Sequence, residues 1–193
     1  MTPAIDNDTE FYPHHYLAEV LDSDLAGVRA RWSEAAAGSP PQRLAGLARD
    51  YARLRGAAEL GPVSVDAVAA FHALVIEALG YQRVIGQHAV DPATGATYTV
   101  PTLAQIVLPG RATPWVLVVG DGFTLAPDRV FALPALVSRD ATDQRDVPTW
   151  ETVIDAIFAS EDPPRFIVYL AGAHLVLLEA ANMVARPFFT PRS

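Results

Sequence analysis

The chain of 193 residues contains neither cysteine nor lysine, and all fourteen of its arginine-or-lysine positions are arginines. The absence of cysteine excludes disulfides, thiolate nucleophiles and sulfur-ligated metals. The absence of lysine excludes a Schiff base, a P-loop lysine and a nuclease site assisted by a lysine. Several classes of enzyme mechanism are therefore removed before any motif is considered.

Long hydrophobic runs are also missing, although 51% of the residues are hydrophobic. Runs such as residues 115–119 and 166–170 are far shorter than the ~20 residues that a membrane-spanning helix needs. The first ten residues are acidic and polar, unlike a signal peptide. We therefore expect a cytoplasmic protein that makes no contact with a membrane.

Positive charge is scarce, because the 22 acidic residues outnumber the 14 basic ones and the net charge is −8. A surface that grips DNA through its phosphates normally concentrates positive charge and releases counterions. We therefore expect no autonomous binding of nucleic acid.

The first half of the chain has the spacing of helices. Apolar residues recur at helical intervals over residues 13–32, 44–58 and 65–79. Ser64 is placed as the N-cap of the third helix and Gly80 as its left-handed C-cap. Residues 1–62 are therefore predicted to form an N-terminal helical segment.

The period changes to that of strands after Gly80. Short strands are predicted at residues 97–100, 103–108 and 115–120, the last as a buried central strand. A helix capped by Thr149 and a hairpin over residues 165–178 follow. The prediction is an α/β (α+β) fold, with N-terminal helices (1–62), a small mixed sheet with flanking helices (63–180) and an irregular tail (181–193).

Two short motifs resemble nucleotide and methyltransferase signatures. Gly120-Asp121-Gly122 follows the strongest strand, but no helix opens directly after it to face a phosphate, so we interpret it as a simple turn. Asp162-Pro163-Pro164 resembles the acidic-Pro-Pro-aromatic motif of amino-directed DNA methyltransferases. Arg165 occupies the aromatic position and the motif precedes its strand, so we interpret it as a chance match.

Histidines and carboxylates supply the remaining candidates for chemistry. His14 and His15 are adjacent, so they point in different directions on a helix, and His72 and His174 lack a partner in sequence. Asp91 and Asp121 could form a two-carboxylate metal nuclease site. Such sites commonly add a Glu-x-Lys pair on a central strand, which this chain does not have. We therefore predict no catalytic, cofactor-binding or metal-binding residue and no cofactor.

Two sets of motifs occur in order along residues 10–180. The first set is Glu10-Phe11-Tyr12-Pro13-His14-His15-Tyr16-Leu17, Trp32, Arg43-Leu44 with Tyr51, and Ala78-Leu79-Gly80-Tyr81. The second set is Pro114-Trp115-Val116-Leu117-Val118-Val119 with Phe123, Trp150, and Pro163-Pro164-Arg165-Phe166-Ile167-Val168. Together they resemble the N-terminal region of very large bacterial adenine-specific DNA methyltransferases, of the type IIG-like restriction–modification and phage-defence kind.

The resemblance implies a restriction-endonuclease-like N-terminal module that precedes a helical spacer and a methyltransferase domain. The chain departs from this pattern at Gly120, where a glutamate is expected, and at residues 185–189, where a Lys/Trp/Gly-containing segment is expected. The methyltransferase signatures themselves, an Asn/Asp-Pro-Pro-aromatic motif and an S-adenosylmethionine glycine turn, do not occur. A degenerate nuclease-like module from a truncated gene, a split subunit or a domain fragment is the expectation.

Three functions remain open. The favoured one is an accessory or scaffolding N-terminal domain of a DNA restriction–modification or phage-defence adenine methyltransferase, inactive alone, whose partner is the methyltransferase domain or subunit. The second is a magnesium-dependent DNA nuclease that uses Asp91, Asp121 and an unrecognised third ligand. The third is an acidic interaction protein of the inhibitor or antitoxin kind.

Overall fold

A computed structural model describes residues 13–34, 38–82, 86–90, 98–139 and 147–180. The turn expected at residues 91–95, the tail 181–193 and the candidate ligand Asp91 lie outside the described residues. Within the described ranges, helices precede the strands and one further helix is inserted between strands. The α/β class predicted from the sequence is confirmed.

The first helical stretch is broken into short pieces. A π-helical segment at Tyr16–Val20 leads into α1 (Leu21–Asp24) and α2 (Ala26–Glu34). None of the three pieces buries a residue, although their apolar residues recur at helical intervals. The break that was expected at residues 22–24 lies instead at Leu25.

The next two helices arise from one predicted helix. Pro40–Gly46 forms α3 and Ala48–Leu60 forms α4, because the Leu47 N–H bonds to the Leu44 carbonyl in a tight three-residue step. Ser39 begins α3 with a reciprocal capping box to Gln42.

Helix α5 packs against one face of the larger of the two sheets described below. It spans Val65–Leu79, begins at the Ser64 cap and ends at Gly80 in the left-handed conformation, as the sequence predicted. Its buried side chains are Val68, Phe71, His72, Ala73, Ile76 and Ala78. The Arg43 side chain of α3 donates to the Ala78 carbonyl at 2.9 Å, which ties α3 to the end of α5.

Seven described strands form two sheets, with orders β1-β2-β5 and β3-β4-β6-β7. The strands are β1 (Gly86–Val90), β2 (Tyr98–Thr102), β3 (Ala104–Ile106), β4 (Val116–Val119), β5 (Ser138–Arg139), β6 (Phe166–Ala171) and β7 (His174–Glu179). The first sheet is antiparallel. In the second sheet, β4 and β6 are parallel neighbours. Strand β3 pairs antiparallel with β4 at one end of the sheet, and β7 pairs antiparallel with β6 at the other end.

The strand at Pro101 and the hairpin of β6 and β7 can be compared with the sequence predictions. The expected interruption at Pro101 is wrong, because Pro101 lies inside β2 opposite Gln87. β5 pairs only with Tyr98 and Thr99, so no second ladder requires the N–H that a proline lacks. The hairpin expected near residues 165–178 is confirmed as β6 and β7, joined by Gly172 and Ala173.

Helices cover both faces of the larger sheet. Helix α6 (Trp150–Phe158), which begins at the predicted Thr149 cap, packs on one face in a cluster that includes Leu117, Ile167 and Tyr169. Helix α5 packs on the other face, where Ile76 meets Val118, Val168 and Leu170. Because β4, α6 and β6 form a parallel crossover unit, the central strand expected at residues 115–120 is buried from both sides.

Among the described residues, no helix combines the length and the apolar character that crossing a bilayer would require.

Candidate functional site

The carboxyl ends of the parallel strands β4 and β6 meet at one edge of the larger sheet. Ligands of open α/β sheets commonly bind at such an edge. Here it carries Gly120 and Asp121 after β4, and Gly172 after β6. This edge is therefore the first place to look for a functional site.

Asp121 uses both carboxylate oxygens to hold the fold. Its Oδ1 accepts a hydrogen bond from the indole N–H of Trp150 at 2.6 Å, and its Oδ2 accepts from the backbone N–H of Leu136 at 2.6 Å. Burial raises the pKa of Asp121, while the two hydrogen bonds act in the opposite direction. The carboxylate thus fastens α6 and the loop at Leu136 to the end of β4.

The glycines at this edge are required by close packing. A Cβ on Gly120, where φ is +137°, would lie 2.0 Å from the Leu170 carbonyl oxygen. A Cβ on Gly172 would lie 2.2 Å from the ring of Phe123. The space beside each glycine that a side chain would need is therefore filled, by the Leu170 backbone at Gly120 and by Phe123 at Gly172.

The segment after Gly120 contains no helix N-terminus aimed at this edge. Thr124 makes a parallel bridge with Gly172, and the next helical residues are a short 3₁₀ turn at Pro127–Arg129. The described structure assigns no regular element to residues 120–122, so the interpretation of Gly120-Asp121-Gly122 as a simple turn stays a prediction.

His72 links α5 to both strand ends. Its Nε2 accepts a hydrogen bond from the backbone N–H of Gly172 at 3.1 Å, and its Nδ1 lies 3.3 Å from the carbonyl oxygen of Gly120. Because Nε2 accepts, the proton belongs on Nδ1, which donates to Gly120. Only 1% of the residue surface is exposed, and burial lowers the pKa of His72 to about 4, so the ring is neutral at pH 7.

An apolar groove lies beside His72. It has a volume of about 340 Å³ and is bounded by α3 and α4, by α5 and by the turn between β6 and β7. Leu44, Tyr51 and Phe71 line the helical side, and Leu170 and Leu175 line the sheet side. This volume is within the range of small-molecule or side-chain pockets.

A second, shallower pocket of about 210 Å³ lies at the opposite end of the sheet. Here Arg111 and Arg165 stand over the Trp115 ring, with guanidinium carbons 5.4 and 5.5 Å from its centroid. Both arginines are neutralised by carboxylates, Arg111 by Asp162 at 2.8 Å and Arg165 by Glu179 at 2.6 Å. The cluster therefore presents no surplus positive charge.

Asp162 of the Asp-Pro-Pro sequence has a structural role in this cluster. Its carboxylate accepts from Thr113 at 2.5 Å as well as from Arg111, so it joins the residue 111–113 turn to the segment before β6. The interpretation of Asp162-Pro163-Pro164 as a chance match stays a prediction.

The structure brings two of the predicted candidates, His72 and His174, to the lining of the same apolar groove. His15 pairs on the surface with Glu19 at 3.3 Å. His174 lines the apolar groove, where its Nε2 is buried without a partner in the described chain. Across the described ranges, no three His, Cys, Asp or Glu side chains are grouped so that they could hold a metal ion.

Sequence reasoning predicted strand β7 but missed the groove next to it and the exposure of two of its leucines. The signal was present in His174-Leu175-Val176-Leu177-Leu178, which is apolar at consecutive positions and therefore has the pattern of a strand covered on both faces. In the structure, Leu175 and Leu177 are 51% and 42% exposed.

Comparison with models of protein families, with curated proteins and with solved structures finds no match for this chain. The resemblance to adenine-specific methyltransferases therefore stays a prediction.

Replacing Asp121 by asparagine is expected to destabilise the fold by about 2 kcal/mol. The amide keeps one acceptor but presents its NH₂ group to the second donor, so either Trp150 Nε1 or the Leu136 N–H loses its partner. Urea unfolding monitored by tryptophan fluorescence measures the change. The matched control Asp128→Asn removes the same charge at an exposed site and is expected to alter stability by less than about 0.5 kcal/mol. Equal stability of Asp121→Asn and wild type would contradict the structural role.

Proposed function

We propose that this chain is an accessory, scaffolding domain of an adenine-specific DNA methyltransferase of a restriction–modification or phage-defence system. It carries out no chemistry alone and works by contact with the methyltransferase polypeptide. The module of residues 63–180 corresponds, in this proposal, to a restriction-endonuclease-like unit whose catalytic residues have been lost.

The observation that carries the proposal is the use of Asp121. An acidic residue at the end of a central strand is where a nuclease of this architecture would hold a divalent cation. In this chain both oxygens of that carboxylate accept hydrogen bonds, from Trp150 and Leu136, and the neighbouring strand end is packed against the Gly120 backbone. An edge built this tightly supports a structural role for the sheet.

Charge supports the same conclusion. A net charge of −8 disfavours direct contact with DNA phosphates, while a polypeptide that binds DNA carries positive surface. An acidic domain and a basic methyltransferase therefore attract each other, and the attraction is expected to weaken as salt is raised.

The test is a binding measurement with the methyltransferase polypeptide encoded in the adjoining DNA. That DNA is expected to contain a frame with an Asn-Pro-Pro-Tyr motif. The purified chain and the methyltransferase polypeptide are expected to elute together as one complex in size-exclusion chromatography with light scattering, with a Kd of about 1 µM or lower at physiological salt.

Two results would contradict the proposal. The first is methylation of DNA by the purified chain without a partner. The second is DNA cleavage in Mg²⁺ or Mn²⁺ that Asp121→Asn removes while the variant remains folded, as judged by circular dichroism.

A further inference from the structure

Strand β7 has an unpaired edge in the described sheet. It is the last strand of the order β3-β4-β6-β7. The Ala180 N–H bonds to the Arg165 carbonyl, which fixes the phase of the antiparallel ladder with β6. By alternation, the backbone groups of Leu175, Leu177 and Glu179 point away from β6.

Within the described residues, strand β7 itself lacks the sequence features that usually block a further strand. Natural edge strands are blocked by lysine, proline, bulges or inward-pointing charges. Residues 174–179 contain no proline and no basic side chain other than histidine, and the ladder with β6 is regular over all six residues. The one acidic side chain, Glu179, is held by Arg165.

The side chains next to this edge leave an apolar surface uncovered. In the ladder, Leu175 pairs with Leu170 and Leu177 pairs with Val168, so the four side chains lie on the same face of the sheet. Helix α5 covers part of this face, where Ile76 contacts Val168 and Leu170. The groove of about 340 Å³ begins at Leu175, so the open edge and the groove form one continuous surface. An extended peptide could therefore gain backbone hydrogen bonds from β7 and a pocket for one side chain.

The charge of the chain decides between two occupants of this surface. A second copy would also carry −8, and the like charges oppose association of two copies. A segment of a DNA-binding polypeptide, flanked by basic residues, is attracted instead. The buried, unpartnered His174 Nε2 on the groove wall offers that segment a hydrogen bond.

We propose that β7 and the adjoining groove bind an extended apolar segment of the methyltransferase polypeptide, flanked by basic residues, which adds to the sheet as a further strand. This inference rests on the proposed function and names the surface through which that function operates. One apolar side chain of the segment occupies the groove beside Leu175.

The experiment compares two double variants of the full chain in binding to the methyltransferase polypeptide by isothermal titration calorimetry. Leu175→Asp/Leu177→Asp places two charges on the proposed surface, at positions exposed enough to keep the fold. Leu60→Asp/Leu108→Asp places two charges on exposed leucines outside the surface. We expect the first variant to weaken binding at least tenfold and the second to bind as wild type, with unchanged melting temperatures for both.

A cross-link provides an independent measurement. Because the chain has no cysteine, Leu177→Cys introduces a single attachment point for a benzophenone maleimide. Irradiation is expected to join residue 177 to an apolar segment of the methyltransferase polypeptide, identified by peptide mass spectrometry, whereas a label on Leu60→Cys is not expected to reach that segment.

The outcomes separate the inference from the proposed function. If wild type binds and Leu175→Asp/Leu177→Asp binds equally well, the surface is wrong and the proposed function stands. If wild type does not bind, the proposed function itself fails, and the inference with it. If wild type instead forms a dimer that Leu175→Asp/Leu177→Asp dissolves, the occupant is a second copy and the inference is overturned.

Discussion

Gly120→Ala is expected to destabilise the protein by about 4 kcal/mol or more and to leave little folded protein at 37 °C. The new Cβ would lie 2.0 Å from the Leu170 carbonyl oxygen and 2.8 Å from the carbonyl carbon. These are backbone atoms of the central strand β6, so no side-chain rotation can relieve the overlap. The φ of +137° adds strain for any L side chain. A domain of this size has about 5–15 kcal/mol of stability in total, so the loss is severe.

The matched control for this prediction is Gly110→Ala. Gly110 also has a positive φ, of +82°, but nothing lies within 4 Å of the position that a Cβ would take. The control therefore carries the strain of the left-handed backbone without the overlap, and it is expected to cost about 1 kcal/mol. Thermal unfolding followed by circular dichroism measures both. Similar melting temperatures for the two variants would show that β4 and β6 do not approach as closely at Gly120 as the structure has them.

The parts of the fold that sequence reasoning predicted are specified by residues close together in the chain. Ser64 and Gly80 bound α5 because a cap acts on the helix turn next to it. Thr149 begins α6 for the same reason, and the hairpin of β6 and β7 follows from Gly172 between two apolar runs.

The parts that sequence reasoning could not predict depend on residues far apart in the chain. The hydrogen bond from Trp150 to Asp121 joins positions 29 apart, and the one from Gly172 to His72 joins positions 100 apart. No periodicity or cap encodes such a pair, so Asp121 remained a candidate metal ligand in the sequence. Its structural role became visible only when the fold placed the indole N–H against it.

In the helices of residues 16–34, the sequence indicated the helical period but not the burial of the side chains. Their apolar residues recur at helical intervals, yet Leu21 and Trp32 are not buried in the described structure. A helical period indicates which side chains share a face, but it does not supply the surface against which that face packs.

His72→Leu is expected to destabilise the protein by about 3 kcal/mol at pH 7. The leucine fills a similar volume but leaves the Gly172 N–H and the Gly120 carbonyl without their partner inside the fold, and each unsatisfied buried group costs about 1–3 kcal/mol. Because these groups hold the ends of β6 and β4 to α5, unfolding in urea at pH 7 measures the effect directly.

The pH dependence of the destabilisation by His72→Leu distinguishes the loss of these hydrogen bonds from a change in packing. The folded protein keeps His72 neutral down to a pKa of about 4, whereas the unfolded chain takes up the proton near 6.5. A depressed pKa of a basic group means that the unfolded state binds more protons between these values, so the wild type loses stability as pH falls from 6.5 to 4, by about 3 kcal/mol. His72→Leu lacks this titration, so its deficit is expected to shrink toward zero near pH 4.

Other groups titrate in the same window but cancel in this comparison. Burial and the nearby Glu151 raise the pKa of Asp155 to about 6, so ionisation of Asp155 lowers stability as pH rises, which is the opposite sign. That change is common to wild type and His72→Leu, and so is the contribution of His88, whose pKa is lowered by burial.

The exposed His14→Gln is the matched control and is expected to follow the wild-type curve. A deficit in His72→Leu that stays constant from pH 7 to pH 4 would mean that the ring acts only as a packing group. A shrinking deficit would show instead that the floor of the groove beside β7 is held by a neutral imidazole.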